Sequence, residues 1–257
     1  MAVTNVICIK YGSRYGAEYP NRLYAGLKRN SPSDIRLFCM TDDRADIQPE
    51  IEILPLLDEP FHKVMFAEMA RRGWKSPFRK VSLYNPALVP DLDGPMILMD
   101  IDLVVVGNPD DLRDYAPGKV AMRHDWSRGP GSNELGHGSV EKFEPQRHSY
   151  IYEDMARDPL AALGRSFGRE QIYTSTSAEA KGDFQPFPDA WIASFKRDCR
   201  PPRPLNLFLP PRKPEGAKVV CFHGEPKMED AVRGYWGGGN LAQATRPARW
   251  LRAAWSG

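Results

Sequence analysis

Two carboxylates one residue apart, Asp100 and Asp102, end the apolar run 95–99 in the stretch MILMDIDLVVVGNPDDL. In an extended chain residues i and i+2 project to the same side. Like charges held together are costly unless a cation joins them, and hard carboxylate oxygens with open positions suit Mg²⁺ or Mn²⁺ bridging to phosphates. A second group lies in KVVCFHGEPKMED, where an apolar run ends at His223, followed by Gly224 and Lys227. Imidazole ligates Mn²⁺ and its borderline neighbours, a glycine lets the backbone approach a phosphate closely, and a lysine neutralises it. Each signal alone has an ordinary reading: a loop-capping aspartate pair, and a structural histidine at a strand end.

The elements that must position these groups are legible in the apolar pattern. Runs rich in Val, Ile and Phe recur at 3–9, 35–40, 95–99, 103–106, 119–122 and 217–222. Several are too continuous for strands buried on one face and suit a mostly parallel sheet covered on both faces. Between the first two, PNRLYAGLKRNS places Pro20 in a first helical turn and Leu23 and Leu27 on one face, which predicts a βαβ opening. A second helical stretch is expected over 78–89, interrupted by Pro86, leading through the turn DLDG (91–94) into the strand that carries the aspartates. In open α/β sheets, ligands bind beyond the carboxyl ends of the strands, which is where the aspartates fall. From Arg123 to Glu144 the chain is polar and glycine-rich, and from Phe184 to Pro214 prolines repeat, so the second half reads as loop-rich and acceptor-shaping.

The chain has 257 residues, 42% hydrophobic and 26% charged, the composition of an ordinary globular protein that folds without staples. We expect a single α/β domain over 1–257, with a nucleotide-binding half (1–122) and an acceptor-shaping half with a basic C-terminal tail (123–257). A net charge of +2 gives no electrostatic case for nucleic acid. The balance is uneven, because from Arg200 onward ten Lys and Arg face four Asp and Glu. That local excess is either a solvated tail or a surface for an anionic membrane or acidic acceptor. The four cysteines, at 8, 39, 199 and 221, show no CxxC spacing and read as small buried hydrophobes. With no signal-like N-terminus and no span of about 20 apolar residues, the expectation is a reducing cytoplasm, with peripheral contact at the inner face of the membrane as an option.

Asp100-Ile101-Asp102 after an apolar strand, combined with HGEPK near the C-terminus, resembles the GT-A glycosyltransferases, in particular those similar to family 8. The opening CIKYGSRYGAEYPNRLYAGLKRN resembles their first strand, nucleotide-contacting loop and helix, and FRKVSLYNPALV resembles the helix whose basic residue reaches the donor. The resemblance implies Asp102 and His223 as metal ligands, with Asp100 on metal, ribose or donor sugar. It implies Lys80 as the donor-binding cation, Lys227 with Gly224 at the diphosphate, and Tyr11, Gly12 and Tyr15 around base and ribose. His137 falls in the place of the family's asparagine beside the donor sugar, and Glu170 and Gln171 fall where the family carries Asp-Gln at the anomeric centre. Without the resemblance, Lys80 reads as a surface lysine and Glu170 as an exposed carboxylate at a helix end.

The implied activity is metal-dependent transfer of a sugar from a nucleotide-diphosphate sugar, a UDP-sugar as first guess, to a hydroxyl of a saccharide or glycan, with retention. The implied cofactor is Mn²⁺ or Mg²⁺. Two alternatives stay open. Asp100-Ile-Asp102-Leu-Val104 also matches the DxDx[TV] of haloacid-dehalogenase-like phosphatases, with Asp100 as nucleophile, although that motif normally follows the first strand and here about 90 residues precede it. A non-catalytic nucleotide-sugar-binding module is the other.

Overall fold

A computed structural model describes residues 2–92, 94–126 and 135–256. Asp93 of the expected turn and residues 127–134 of the glycine-rich stretch lie outside the described residues. The chain is a mixed α/β fold with a mostly parallel central sheet flanked by helices. In chain order it begins β1 (Val3–Lys10), α1 (Glu18–Asn30), β2 (Asp34–Thr41), β3 (Glu52–Pro55) and α2 (Pro60–Arg72). Next come β4 (Met96–Met99), β5 (Leu103–Val105), α3 (Asp110–Asp114), β6 (Ala121–His124) and β7 (Gly136–Phe143). Three helices follow, α4 (Tyr150–Arg157), α5 (Pro159–Arg165) and α6 (Glu170–Ala180). The chain continues through β8 (Ile192–Ser194), β9 (Val219–Cys221), α7 (Met228–Arg233) and α8 (Arg249–Ala254). It divides into two compact units, one of residues 1–54, 99–112 and 188–257, the other of residues 55–98 and 113–187.

In the first unit the expected βαβ opening is present. β1 and β2 run parallel in unbroken register from Val3 opposite Asp34 to Lys10 opposite Thr41. Helix α1 carries Pro20 in its first turn and buries Tyr19, Pro20, Leu23, Gly26 and Leu27, the face the periodicity marks. Each fully buried leucine there contributes on the order of 2 kcal/mol. A smaller sheet in the same unit orders β5, β9 and β8, with β5 antiparallel and β8 parallel to β9. All four cysteines are buried thiols, as the apolar runs around Cys8, Cys39 and Cys221 predict; Cys199 is buried within the charged stretch FKRDCR.

One carboxylate fastens this unit together. Asp110, almost fully buried, accepts hydrogen bonds from Thr4 Oγ1 of β1 at 2.7 Å, from Ser31 Oγ at the end of α1 at 2.9 Å and from Ser33 Oγ just before β2 at 2.6 Å. The three elements of the βαβ opening are thereby tied to the segment that follows the Asp100–Asp102 pair.

In the second unit β4 is buried along its whole length and neighbours β7, which pairs antiparallel with β6. Two expectations change here. The stretch 78–89 forms not an α-helix but two 3₁₀ turns, Lys80–Tyr84 and Pro86–Leu88. Pro86 cannot donate to a helix ladder, and it disfavours the helical conformation at Asn85, which is extended at ψ 114° and caps the second turn through its side chain. Within the polar stretch 123–144, Gly136–Phe143 is a buried strand; its glycines and charged residues hid a core element.

Asp110→Ala should leave three hydroxyls without their shared acceptor and lower the unfolding free energy by about 3 kcal/mol. Denaturant unfolding of wild type and variant measures this, and a loss below about 0.5 kcal/mol would show that Asp110 is no fastening point.

Candidate functional site

The first unit gathers one group of the candidate residues at the ends of β5 and β9. Leu103 stands opposite Cys221, and Phe222 N–H donates to Asp102 O at 2.9 Å, so the ladder continues one residue past the strands. This register brings Asp102 beside the chain that leads into His223, across 121 positions of sequence. The loop then returns Lys227 to the aspartate. Lys227 Nζ donates to Asp102 Oδ2 at 2.7 Å, to Tyr15 OH at 2.8 Å and to Phe222 O at 3.2 Å, while Tyr15 OH donates to the same Asp102 oxygen at 3.1 Å. The ion pair is mostly sheltered, with side-chain exposure of 12% for Lys227 and 21% for Asp102. Burial alone would lower the Lys227 ammonium, but the charge and hydrogen bond of Asp102 and the bond to Tyr15 outweigh it and raise it. The Tyr15 phenol is raised, chiefly by burial, with the Lys227 hydrogen bond pulling the other way.

The remaining candidates of the unit lie on the segments that carry the triangle. His223 Nε2 lies 2.9 Å from Ser194 Oγ at the end of β8. Gly224 has φ +80°, the left-handed region that favours glycine, and a Cβ there would lie 2.5 Å from Lys196 Nζ. Gly12, at φ +65°, turns the chain out of β1 so that its N–H donates to the Asp42 carboxylate, 3.0 Å to Oδ2. Tyr11 is exposed beside it. Asp100 follows β4 directly and is half-buried; after the Cys39 hydrogen bond and burial, its charge contributes to holding the buried Cys8 thiol well above its ordinary value.

Asp100, Asp102 and His223 suit a divalent cation by type, two hard carboxylates and an imidazole on chain segments that the β5–β9 register brings together. Among the described residues, however, no three His, Cys, Asp or Glu side chains are gathered closely enough to hold an ion, and the Asp102 carboxylate is held by Lys227.

The second unit gathers Lys80, His137, Gly138, Glu170 and Gln171, and the β6–β7 pairing explains how. Met122 faces Glu141 but the next residue, Arg123, faces His137, so residues 138–140 of β7 leave the ladder as a bulge. The released groups of Gly138 are taken up by the candidates: its N–H donates to Gln171 Oε1 at 3.4 Å and its carbonyl accepts from Lys80 Nζ. A Cβ at Gly138 would sit 3.2 Å from Glu141 Oε1 and 3.4 Å from Gln171 Cβ, which leaves little room for any larger residue. Gln171 Nε2 also donates to Asp125 Oδ2 at 2.9 Å. The His137 ring packs edge-on to Trp126 at 4.4 Å, with Nδ1 accepting from Ser139 N–H at 3.3 Å.

Glu170 opens α6 but is not an exposed helix-end carboxylate: it is 6% exposed and accepts the Val81 N–H at 3.0 Å. Burial pushes its carboxyl from 4.5 up to about 7, moderated by the Lys80 charge and the Val81 hydrogen bond and reinforced by the Glu141 charge. Tyr84 OH donates to Glu141 Oε2 at 2.8 Å, and burial with that carboxylate holds the phenol well above its ordinary value. Sequence reasoning missed Glu141, Tyr84, Asp125 and Ser194. None carried a local signal; Glu141 lies in GHGSVEKF, where apolar and polar residues do not alternate.

No protein-family model matches the sequence, and no curated protein sequence matches it. Solved structures match its fold. The galactosyltransferase LgtC, in complex with donor and acceptor sugar analogues, superposes with a TM-score of 0.62 at 12% identity, over 98% of this chain and 95% of LgtC. Mouse xyloside xylosyltransferase 1 gives 0.54 at 12%, over 87% and 98%. The glycosyltransferase GlyE of Streptococcus pneumoniae TIGR4 gives 0.56 at 12%, over 98% of this chain and 60% of GlyE. These are glycosyltransferases of the GT-A type, and this chain shares their fold.

The raised Glu170 carboxyl has a measurable consequence. A carboxyl near 7 in the folded state against 4.5 in the unfolded chain favours folding fully below 4.5 and loses that contribution as pH rises through 7. Glu170→Gln should therefore gain on wild type between pH 5 and pH 8 by about 3 kcal/mol. Urea unfolding across that range measures the gain. A difference that does not change with pH would mean that Glu170 titrates in the ordinary range.

Proposed function

We propose that this protein is a glycosyltransferase that moves a sugar from a nucleotide-diphosphate sugar, a UDP-sugar as first guess, to a hydroxyl of a saccharide or glycan, with a divalent metal and with retention of anomeric configuration. The observation that carries the reading is the Asp102–Lys227–Tyr15 triangle at the end of the β5–β9 ladder, within a fold shared with GT-A glycosyltransferases. The similarity to family 8 in HGEPK and the Asp100–Asp102 pair supports the finer assignment. Neither the phosphatase reading nor the non-catalytic module has comparable support.

In the reaction an acceptor oxygen forms a bond to the anomeric carbon while the bond from that carbon to the phosphate oxygen breaks. The nucleoside diphosphate leaves with the electron pair, and the hydroxyl proton passes to solvent or to the departing phosphate. Negative charge grows on the leaving group, and the protein must meet it with fixed positive charge. Lys227 is suited to this, because it can exchange the Asp102 carboxylate for a diphosphate oxygen without crossing the site. Asp100, Asp102 and His223 would hold the metal, Mn²⁺ or Mg²⁺, which when bound supplies further positive charge at the diphosphate. Tyr11, Gly12 and Tyr15 are assigned to base and ribose, and Gly224 to close approach of the backbone to phosphate.

Lys80, His137 and Gln171 are assigned to the donor sugar. Glu170, its carboxyl raised to about 7 by burial, can either stabilise the developing positive charge on the sugar or polarise the acceptor hydroxyl.

Asp102→Asn should lower metal-supported release of nucleoside diphosphate from the donor by about a hundredfold or more and weaken Mn²⁺ binding read by electron paramagnetic resonance, both measured well below a melting temperature that falls because the Lys227 ammonium loses its partner. Near-wild-type turnover of the variant without added metal would refute the assignment. If Asp100→Asn were then the inactivating change, towards simple phosphate esters, the phosphatase reading would replace it.

A further inference from the structure

The first unit contains a cavity of about 190 Å³ that none of the assignments above uses, walled by Lys196, Arg197, Arg200, Arg203 and Asn206 with Pro201, Pro202 and Ala242. Four of its walls are cations and, among the described residues, no carboxylate lines it. The cause is local. Residues Phe195–Cys199 form one π-helical turn, a rare conformation that concentrates at functional sites. Asp198, which could have neutralised the cluster, instead accepts the Ser194 N–H at 2.6 Å and is spent in closing that turn. Arg200 is held in place from behind, its Nη1 donating to Ala242 O at 3.1 Å and to Ala244 O at 3.4 Å. Burial lowers the Arg200 guanidinium, and burial together with the charges of Arg200 and Lys227 lowers the Lys196 ammonium against the opposing charge of Glu225, so a bound anion would favour the charged form of both.

Asn206 is engaged by the fold: it is 2% exposed and its amide nitrogen donates to Leu241 O at 3.1 Å and Ala244 O at 3.0 Å. Four cations with no carboxylate beside them among the described lining residues fit an anionic group. The volume is below the roughly 300–1,000 Å³ of pockets that enclose a drug-sized ligand, so it suits one charged group of a larger molecule.

We propose that this cavity binds a phosphomonoester, and that this group is the anionic anchor of the acceptor. The word acceptor rests on the transfer reading; the binding site does not. The phosphomonoester can be carried by a free sugar phosphate or by a lipid headgroup.

The test omits donor and metal, so its outcome is independent of whether transfer occurs. Wild type and the Arg197→Gln/Arg203→Gln variant, both changes being at exposed positions, are titrated calorimetrically with glucose 6-phosphate and with glucose, and by flotation with phosphatidylcholine vesicles with and without phosphatidic acid. We expect saturable one-to-one binding of the phosphomonoester, none of glucose, and affinity about tenfold lower in the variant at unchanged melting temperature. Binding of glucose 6-phosphate supports a free sugar phosphate, and binding confined to phosphatidic acid vesicles supports the lipid headgroup. Failure of both probes, equal affinity in the variant, or displacement of the phosphomonoester by UDP with Mn²⁺ would overturn the proposal, the last because it would move the site to Lys227.

Discussion

The antiparallel register of β5 on β9 is the constraint on which the first unit's site depends. It places Leu103 opposite Cys221 and Asp102 O on the Phe222 N–H, and everything chemical follows within a few residues on either strand. Lys227 and Asp102 then meet in a sheltered place, where each is tolerable only because of the other. A partly buried ion pair adds little net stability, whereas stranding one partner is expensive. The pair is therefore a small source of fold stability. On the proposed reading, an incoming cation and anion would take the two charges apart without leaving either uncompensated. Tyr15 ties the loop after β1 to the same oxygen, so three segments distant in sequence converge on Asp102.

The second unit solves a different problem, that of holding carboxylates where burial disfavours their charge. Glu141 is kept by the Tyr84 hydroxyl and Glu170 by the Val81 N–H, with Lys80 nearby, all arranged around the bulge that frees Gly138. Keeping Glu170 buried costs stability near neutral pH, and a cost of that kind is usually tolerated for chemistry rather than for packing.

How much of this could be read beforehand depended on the kind of signal. The strands and α1 were legible because burial on both faces of a parallel pair leaves continuous apolar runs, as in β1, β2 and β4, and because Leu23 and Leu27 keep helical spacing. The 3₁₀ turns at 80–88 were misread as a helix because their apolar spacing survives a tighter winding, while Pro86 signalled only an interruption. β7 was hidden because it buries Ser139, Glu141 and Lys142, residues that composition assigns to solvent. Lys142 is possible there because it donates to the Tyr115 and Ala116 carbonyls, partners no local pattern announces. At the site, Asp102 and Lys227 were each visible as types in context. Their ion pair, the Ser194 contact to His223 and the burial of Glu170 depend on register and tertiary packing, which spacing alone does not encode.

The central claim is that the ends of β5 and β9 form a seat for a nucleotide diphosphate together with a divalent cation. It is tested most directly by the melting temperature of the wild-type protein against a panel of nucleoside diphosphates and nucleotide sugars, each with and without Mn²⁺. A ligand that binds only the folded state at a hundred times its dissociation constant adds about 2.7 kcal/mol, enough to move the transition by several degrees. The account predicts that one nucleotide class raises the melting temperature with Mn²⁺ and far less without it. A panel in which no nucleotide shifts the transition, or in which the shift is the same with chelator as with Mn²⁺, would contradict it.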